Sequence, residues 1–316
     1  MQKLLIILTL IFSTSAACVA DAEAEAEWIT LPFAPAVGDT VRYQIRKQDI
    51  AEGAKAHTKP VGLTDVSIQY LGEKPDGHVY LLTYDRIRPE DPELAKIPAI
   101  QQMLGMFEGI SLEYLADETG TPLAIRDMDH VRKWLLGPAL EVLTKHETSE
   151  DKSQGIRSFF MNLGPEQAAE MLLKDITPIF SVTGIDLLVD EPLEAEGTVP
   201  WHMTGTELAI TGQSTIIAMT DDLLTLEIRQ GYSRESVLAG VEALAKRVLP
   251  DMPPEKTEEM QAQLQALKSF DVRQSIDATV SRSSGWPLEV KAISETDMGM
   301  AKRTITQEIK QLEATE

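Results

Sequence analysis

Val272-Arg273-Gln274-Ser275-Ile276-Asp277-Ala278-Thr279-Val280-Ser281-Arg282-Ser283-Ser284-Gly285-Trp286-Pro287-Leu288-Glu289-Val290 decides how this 316-residue chain is read. Val272, Ile276, Ala278 and Val280 alternate with Arg273, Ser275, Asp277 and Thr279, which puts an apolar and a polar face on one strand. A strand with one wet face belongs to an antiparallel sheet, because parallel sheets are covered on both sides. Ser284-Gly285 then supplies a turn, and Pro287-Leu288-Glu289-Val290 starts the next strand. The stretch predicts a long hairpin.

The same pattern recurs along the chain. Val41, Tyr43 and Ile45 alternate with Arg42, Gln44 and Arg46, and Leu224, Leu226 and Ile228 alternate with Thr225, Glu227 and Arg229. Lys74-Pro75-Asp76-Gly77 separates two further runs, residues 66–71 and 79–87. There proline presets φ, and glycine supplies the positive φ that a turn needs. Asp221-Asp222 punctuates another pair.

Helical blocks lie between the hairpins. Asp129 is positioned to cap a helix carrying Val131, Trp134, Leu135, Val142 and Leu143, which Gly137-Pro138 should kink. Pro165 suits the first turn of a helix that turns Ala169, Leu172 and Ile176 inward. Ser233 precedes a stripe of Val237, Val241, Leu244 and Val248, and Pro253-Pro254 opens a polar helix with Met260, Leu264 and Leu267 inside. Gly120-Thr121-Pro122-Leu123-Ala124-Ile125 echoes Gly285-Trp286-Pro287-Leu288-Glu289-Val290, each between two strands and each preceded by a helical block, residues 93–107 in the first case and 255–267 in the second. The expected fold is α+β, with long antiparallel hairpins forming curved sheets, helices packed on one face, and two similar halves at residues 28–185 and 190–316.

Fifty acidic and 29 basic residues give a net charge of −21. Such a surface repels phosphate backbones and anionic membranes, so nucleic acid is excluded as an expected partner. Residues 1–22 read as an export signal: Lys3, an apolar run over 4–12, then small and polar residues. That run is shorter than the roughly 20 residues a bilayer span needs. An acidic leader continues to about residue 27, and no later stretch is apolar enough to span a membrane. Ser15-Ala16-Ala17-Cys18 resembles a lipobox, which makes Cys18 a candidate lipidation site, although Ser15 stands where leucine is usual. Cleavage by ordinary signal peptidase is the preferred reading. It removes the chain's one cysteine and leaves an exported, periplasmic or secreted protein; the alternative is an outer-envelope lipoprotein anchored through Cys18.

No motif for catalysis emerges. His57, His78, His130, His146 and His202 are scattered, without the spacing of a zinc site. Ser149-Glu150-Asp151-Lys152 matches Ser-x-x-Lys by letter alone, and Asp127-Met128-Asp129 reads as helix capping before it reads as a cation site. No catalytic, metal or cofactor residue is assigned. Met103, Met106 and Phe107, with Phe159, Phe160 and Met171, form apolar runs that suit either a core or a pocket wall.

The export signal, the alternating strands, the Gly-x-Pro-Leu hairpin and the following Thr304-Ile305-Thr306-Gln307-Glu308-Ile309 resemble uncharacterised bacterial secreted or lipid-anchored proteins. The layout is also similar in architecture to periplasmic lipoprotein-carrier proteins, a likeness that implies a curved sheet with helices on its concave side. The expectation is a non-enzymatic binding protein that holds a hydrophobic ligand or an envelope partner between sheet and helices. A periplasmic hydrolase with a spatially assembled site and a lipid-anchored structural envelope protein are the alternatives.

Overall fold

The computed structural model describes residues 27–53, 56–141, 150–189, 191–202, 204–248, 271–297 and 301–313. Cys18, His146, Val142, Leu143, the Ser149 motif and the expected helix after Pro253-Pro254 lie outside or at the margin of these residues. Among the described residues strand far outweighs helix, so open antiparallel sheet dominates the α+β architecture.

The strands are β1 (Trp28–Thr30), β2 (Thr40–Gly53), β3 (His57–Thr58), β4 (Gly62–Lys74), β5 (Gly77–Pro89), β6 (Ser111–Ala116), β7 (Pro122–Ile125), β8 (Asp186–Leu188), β9 (Leu193–Trp201), β10 (Thr206–Met219), β11 (Leu223–Tyr232), β12 (Asp271–Ser281), β13 (Pro287–Asp297) and β14 (Ala301–Leu312). The helices are α1 (Pro98–Gly105), α2 (Met128–Trp134), α3 (Glu150–Met161), α4 (Pro165–Leu172), α5 (Thr177–Phe180) and α6 (Arg234–Val248). Contacts divide the chain into two units. One comprises Ala34–Asp49, Thr58–Ser181 and Gln307–Glu316; the other comprises Met1–Phe33, Ile50–His57 and Val182–Thr306.

In the first unit the strand order is β7-β6-β5-β4-β2. Register stacks the apolar alternates into rows: Val41, Ile68, Leu82 and Leu112 in one; Tyr70, Tyr80, Tyr114 and Ile125 in the next. Tyr80 and Tyr114 stack with centroids 5.5 Å apart, and Tyr80 meets Phe180 of α5 edge-on at 5.9 Å. Tyr80, Tyr114, Leu82 and Phe180 are all buried, and each such side chain contributes roughly 1.5–3 kcal/mol of transfer free energy. The Tyr84 hydroxyl donates to the Leu172 carbonyl at 2.7 Å, tying β5 to the end of α4.

Three expectations at helix ends need correction. The cap of α2 is Asp127, whose carboxylate accepts from the His130 N–H at 2.9 Å, and Asp129 lies inside the first turn instead. Both acids fit the rule, but only the residue before the helix has the non-helical backbone that aims its side chain back at the free N–H groups. The helix starting at Pro165 stops at Leu172, so Ile176 is buried from the turn before α5. The block expected over 93–107 divides at Ile97, which is extended ahead of Pro98, as a residue preceding proline prefers. The expected kink is present: Gly137 has φ −98° and ψ −111° within a π-type turn over Leu135–Ala139.

In the second unit the order is β9-β10-β11-β12-β13-β14, and β1 pairs with β8 in a separate two-stranded sheet. Ile228, Ile276 and Ala292 share one buried row, and Leu226, Ala278 and Val290 share the next. The β12–β13 hairpin turns at Gly285, with φ 72°. A Cβ there would run into the Pro32 carbonyl oxygen, so both conformation and close approach require glycine. Trp286 beside it is buried edge-on against Phe33, with centroids 4.9 Å apart.

Candidate ligand-binding site

The face of β9–β13 opposite those apolar rows is built from the polar alternates. Register sets Glu196, Thr211, Gly231, Arg273 and Glu295 side by side in one row, and Glu194, Gln213, Arg229, Ser275 and Ile293 in the row beside it. Gly231 adds no side chain to the middle of its row, which leaves a dip between Thr211 and Arg273. The two rows line a concavity of about 540 Å³, open to solvent.

Its charges are partly matched from just outside the rows. Arg229 pairs with Glu227 at 2.8 Å, Arg273 with Asp271 at 2.6 Å, and Lys302 with Glu295 at 2.8 Å. The hydrogen bond and then the Coulomb attraction of Glu295 raise the pKa of the Lys302 ammonium. Glu194 and Glu196, both exposed on β9, have no ion-pair partner among the described residues. The arrangement offers two exposed guanidiniums, each held on one side by a carboxylate of its own strand, and two carboxylates without ion-pair partners among the described residues at one rim. That set can hold a ligand bearing opposite charges, through bidentate and charge-assisted hydrogen bonds.

A second, smaller concavity of about 160 Å³ lies in the first unit, where Leu104, Ile100 and Ala95 face Ile87, Arg88 and Pro89. The apolar residues singled out by sequence are distributed over α1 and the turn that follows it, α3 and α4. Met103 is in α1; Met106 and Phe107 follow that helix, both half-buried, with Phe107 edge-on to Trp134 at 5.2 Å. The Trp134 indole donates to the Met106 carbonyl at 3.0 Å. Phe159 and Phe160 sit in α3 with centroids 5.6 Å apart, and Met171 is half-buried in α4. Met106, Phe107, Phe159, Phe160 and Met171 line neither concavity.

His78 is bound within the fold, its Nδ1 at 2.9 Å from the Tyr70 hydroxyl. Among the described residues, no group of three or more His, Cys, Asp or Glu side chains is placed to hold a metal ion. The residues of the polar concavity were visible in sequence only as the wet alternates of separate strands. A strand's neighbours are set by register, and no local pattern announces that Arg273 of β12 faces the same hollow as Glu196 of β9.

No protein-family model matches the chain. No curated protein matches it either. Among solved structures it is similar to lipovitellin, described for its lipid–protein interactions, with 9% identity and a TM-score of 0.41 over 89% of this chain. The match covers 26% of the lipovitellin chain, so this chain spans about a quarter of that protein's length. It is also similar to an outer membrane channel from Pseudomonas putida F1, with 8% identity and a TM-score of 0.17 over 89% of this chain and 97% of that one.

Proposed function

We propose that this chain is an exported, non-enzymatic binding protein whose ligand surface is the polar concavity on the β9–β13 face. The observation that carries the reading is that concavity itself: about 540 Å³, floored by Arg229 and Arg273 and rimmed by Glu194, Glu196 and Glu295. Ligand sites typically occupy about 300–1,000 Å³, a range that includes this hollow and excludes the apolar groove of about 160 Å³ at α1. No aromatic ring stands among its described lining residues, so ionic and hydrogen-bonding groups must select the ligand in place of stacking. Export rests on the signal-like residues 1–22, and Cys18 is the candidate anchor if lipidation replaces simple cleavage.

The test is purification from a native host without detergent, followed by mass spectrometry of whatever accompanies the protein. A charged or zwitterionic molecule should accompany the wild-type chain and be reduced about tenfold or more by Arg229→Ala with Arg273→Ala, since each fork removed costs a charge-assisted bond. Both arginines are exposed, so the double variant should fold. Recovery of the same molecule from both proteins, or of a lipid insensitive to the substitutions, overturns the reading.

A further inference from the structure

Among the described residues, β9 pairs with β10 over its whole length and with no other strand. In an antiparallel pair, alternate residues turn their N–H and C=O groups away from the partner, so this edge presents unpaired backbone. None of its nine residues is buried. Proteins blunt such edges with short strands, proline or charge. The outer strand of the first unit, β7, is blunted in that way: four residues beginning with Pro122. On β9 the proline, Pro200, sits next to the end, and residues 193–199 keep every N–H.

The side chains on this edge choose what can pair with it. Glu194 and Glu196 lie on the face that lines the concavity, two residues apart, without ion-pair partners among the described residues. A second copy of β9 would bring its own two glutamates against them, and like charges in adjacent positions destabilise strand pairing. A strand with lysine or arginine at alternate positions would instead set each cation beside a carboxylate, and a chain of net charge −21 attracts it from solution.

We infer that β9 accepts an extended basic segment of a partner polypeptide as an added strand, its cationic side chains lying over Glu194 and Glu196 at the rim of the concavity. Main-chain bonds to the open edge give such strand addition its affinity, and alternate side chains give it specificity. The inference rests on the proposal that this face is the binding surface, and it names the partner's chemistry.

The probe is a fluorescently labelled peptide of β9's own length, alternating lysine and threonine, titrated into the full chain. It should bind saturably, and Glu194→Lys with Glu196→Lys should weaken binding about tenfold or more through like-charge repulsion. The same peptide N-methylated on its pairing N–H groups keeps its charge but cannot complete the ladder, and it should not bind. Equal binding of the methylated peptide would reduce the effect to charge attraction and overturn the added strand, as would unchanged binding by the double variant. If the lysine peptide fails while a native ligand still depends on Arg229 and Arg273, the inference falls and the proposed function stands; failure of both assays removes both.

Discussion

Tyr114 and Tyr84 sit on neighbouring strands of one sheet, and their hydroxyls have opposite fates. The Tyr114 hydroxyl is fully buried and has no hydrogen-bond partner among the described residues, whereas that of Tyr84 reaches the Leu172 carbonyl. An unpaired buried hydroxyl gives up its water without compensation, so Tyr114→Phe should leave stability unchanged or raise it by about 1 kcal/mol. Leu172 ends α4, where carbonyls have no partner inside the helix, so Tyr84→Phe should cost about 1 kcal/mol by leaving that acceptor unmet. Urea midpoints at constant m-value measure both, and a destabilised Tyr114→Phe would mean that its hydroxyl does find a partner in solution. Alternation of Leu112, Tyr114 and Ala116 marks Tyr114 as inward-facing, but not whether its oxygen is satisfied, which depends on residues from other strands.

Elements were the most legible scale, because alternation and turn chemistry are local. The two-residue turn at Pro75-Asp76, the strands around Tyr43, Leu226 and Ile276, and the start of α6 after Ser233 all follow from residues within a few positions of one another. The echo between Gly120 and Gly285 also has a local cause. Both glycines have positive φ, as does Gly205 between β9 and β10, so one turn chemistry recurs at three hairpins. What local pattern does not show is a contact such as that of Gly240 in α6. A Cβ there would strike the Trp201 indole of β9, so the helix rests directly on the ring. Helix propensity alone favours Gly240→Ala by about 1 kcal/mol. Overpacking against a rigid indole typically costs about 1–3 kcal/mol and should win, giving a net loss of about 1 kcal/mol in thermal or urea unfolding. A stabilised variant would show that the indole swings aside at little cost.

At the scale of the molecule, the division into two units was the part least accessible to sequence. Each unit is assembled from separated segments, with boundaries inside β2 and β14, and continuous alternation along a strand carries no mark of such a boundary. The aromatic residues nevertheless label the units. Five of the six tyrosines, Tyr43, Tyr70, Tyr80, Tyr84 and Tyr114, belong to the first unit, and only Tyr232 belongs to the second. Three of the four tryptophans, Trp28, Trp201 and Trp286, belong to the second, with Trp134 in the first. Burial raises the pKa of every one of the six phenols above its ordinary value of 10.0. Each phenol therefore holds its proton more tightly folded than unfolded. The stability this contributes is complete below pH 10 and is lost as pH rises from there towards the folded values. Alkaline titration should accordingly show little tyrosinate absorbance near pH 10 and then a cooperative rise as the tyrosine-rich unit opens. Tryptophan fluorescence, which reports mainly the second unit, should change at higher pH, because one buried phenol there gives up far less stability than five. Coincident curves for the two probes would mean that the units unfold as one cooperative body, and a gradual tyrosinate rise centred on pH 10 would mean that the tyrosines are not buried.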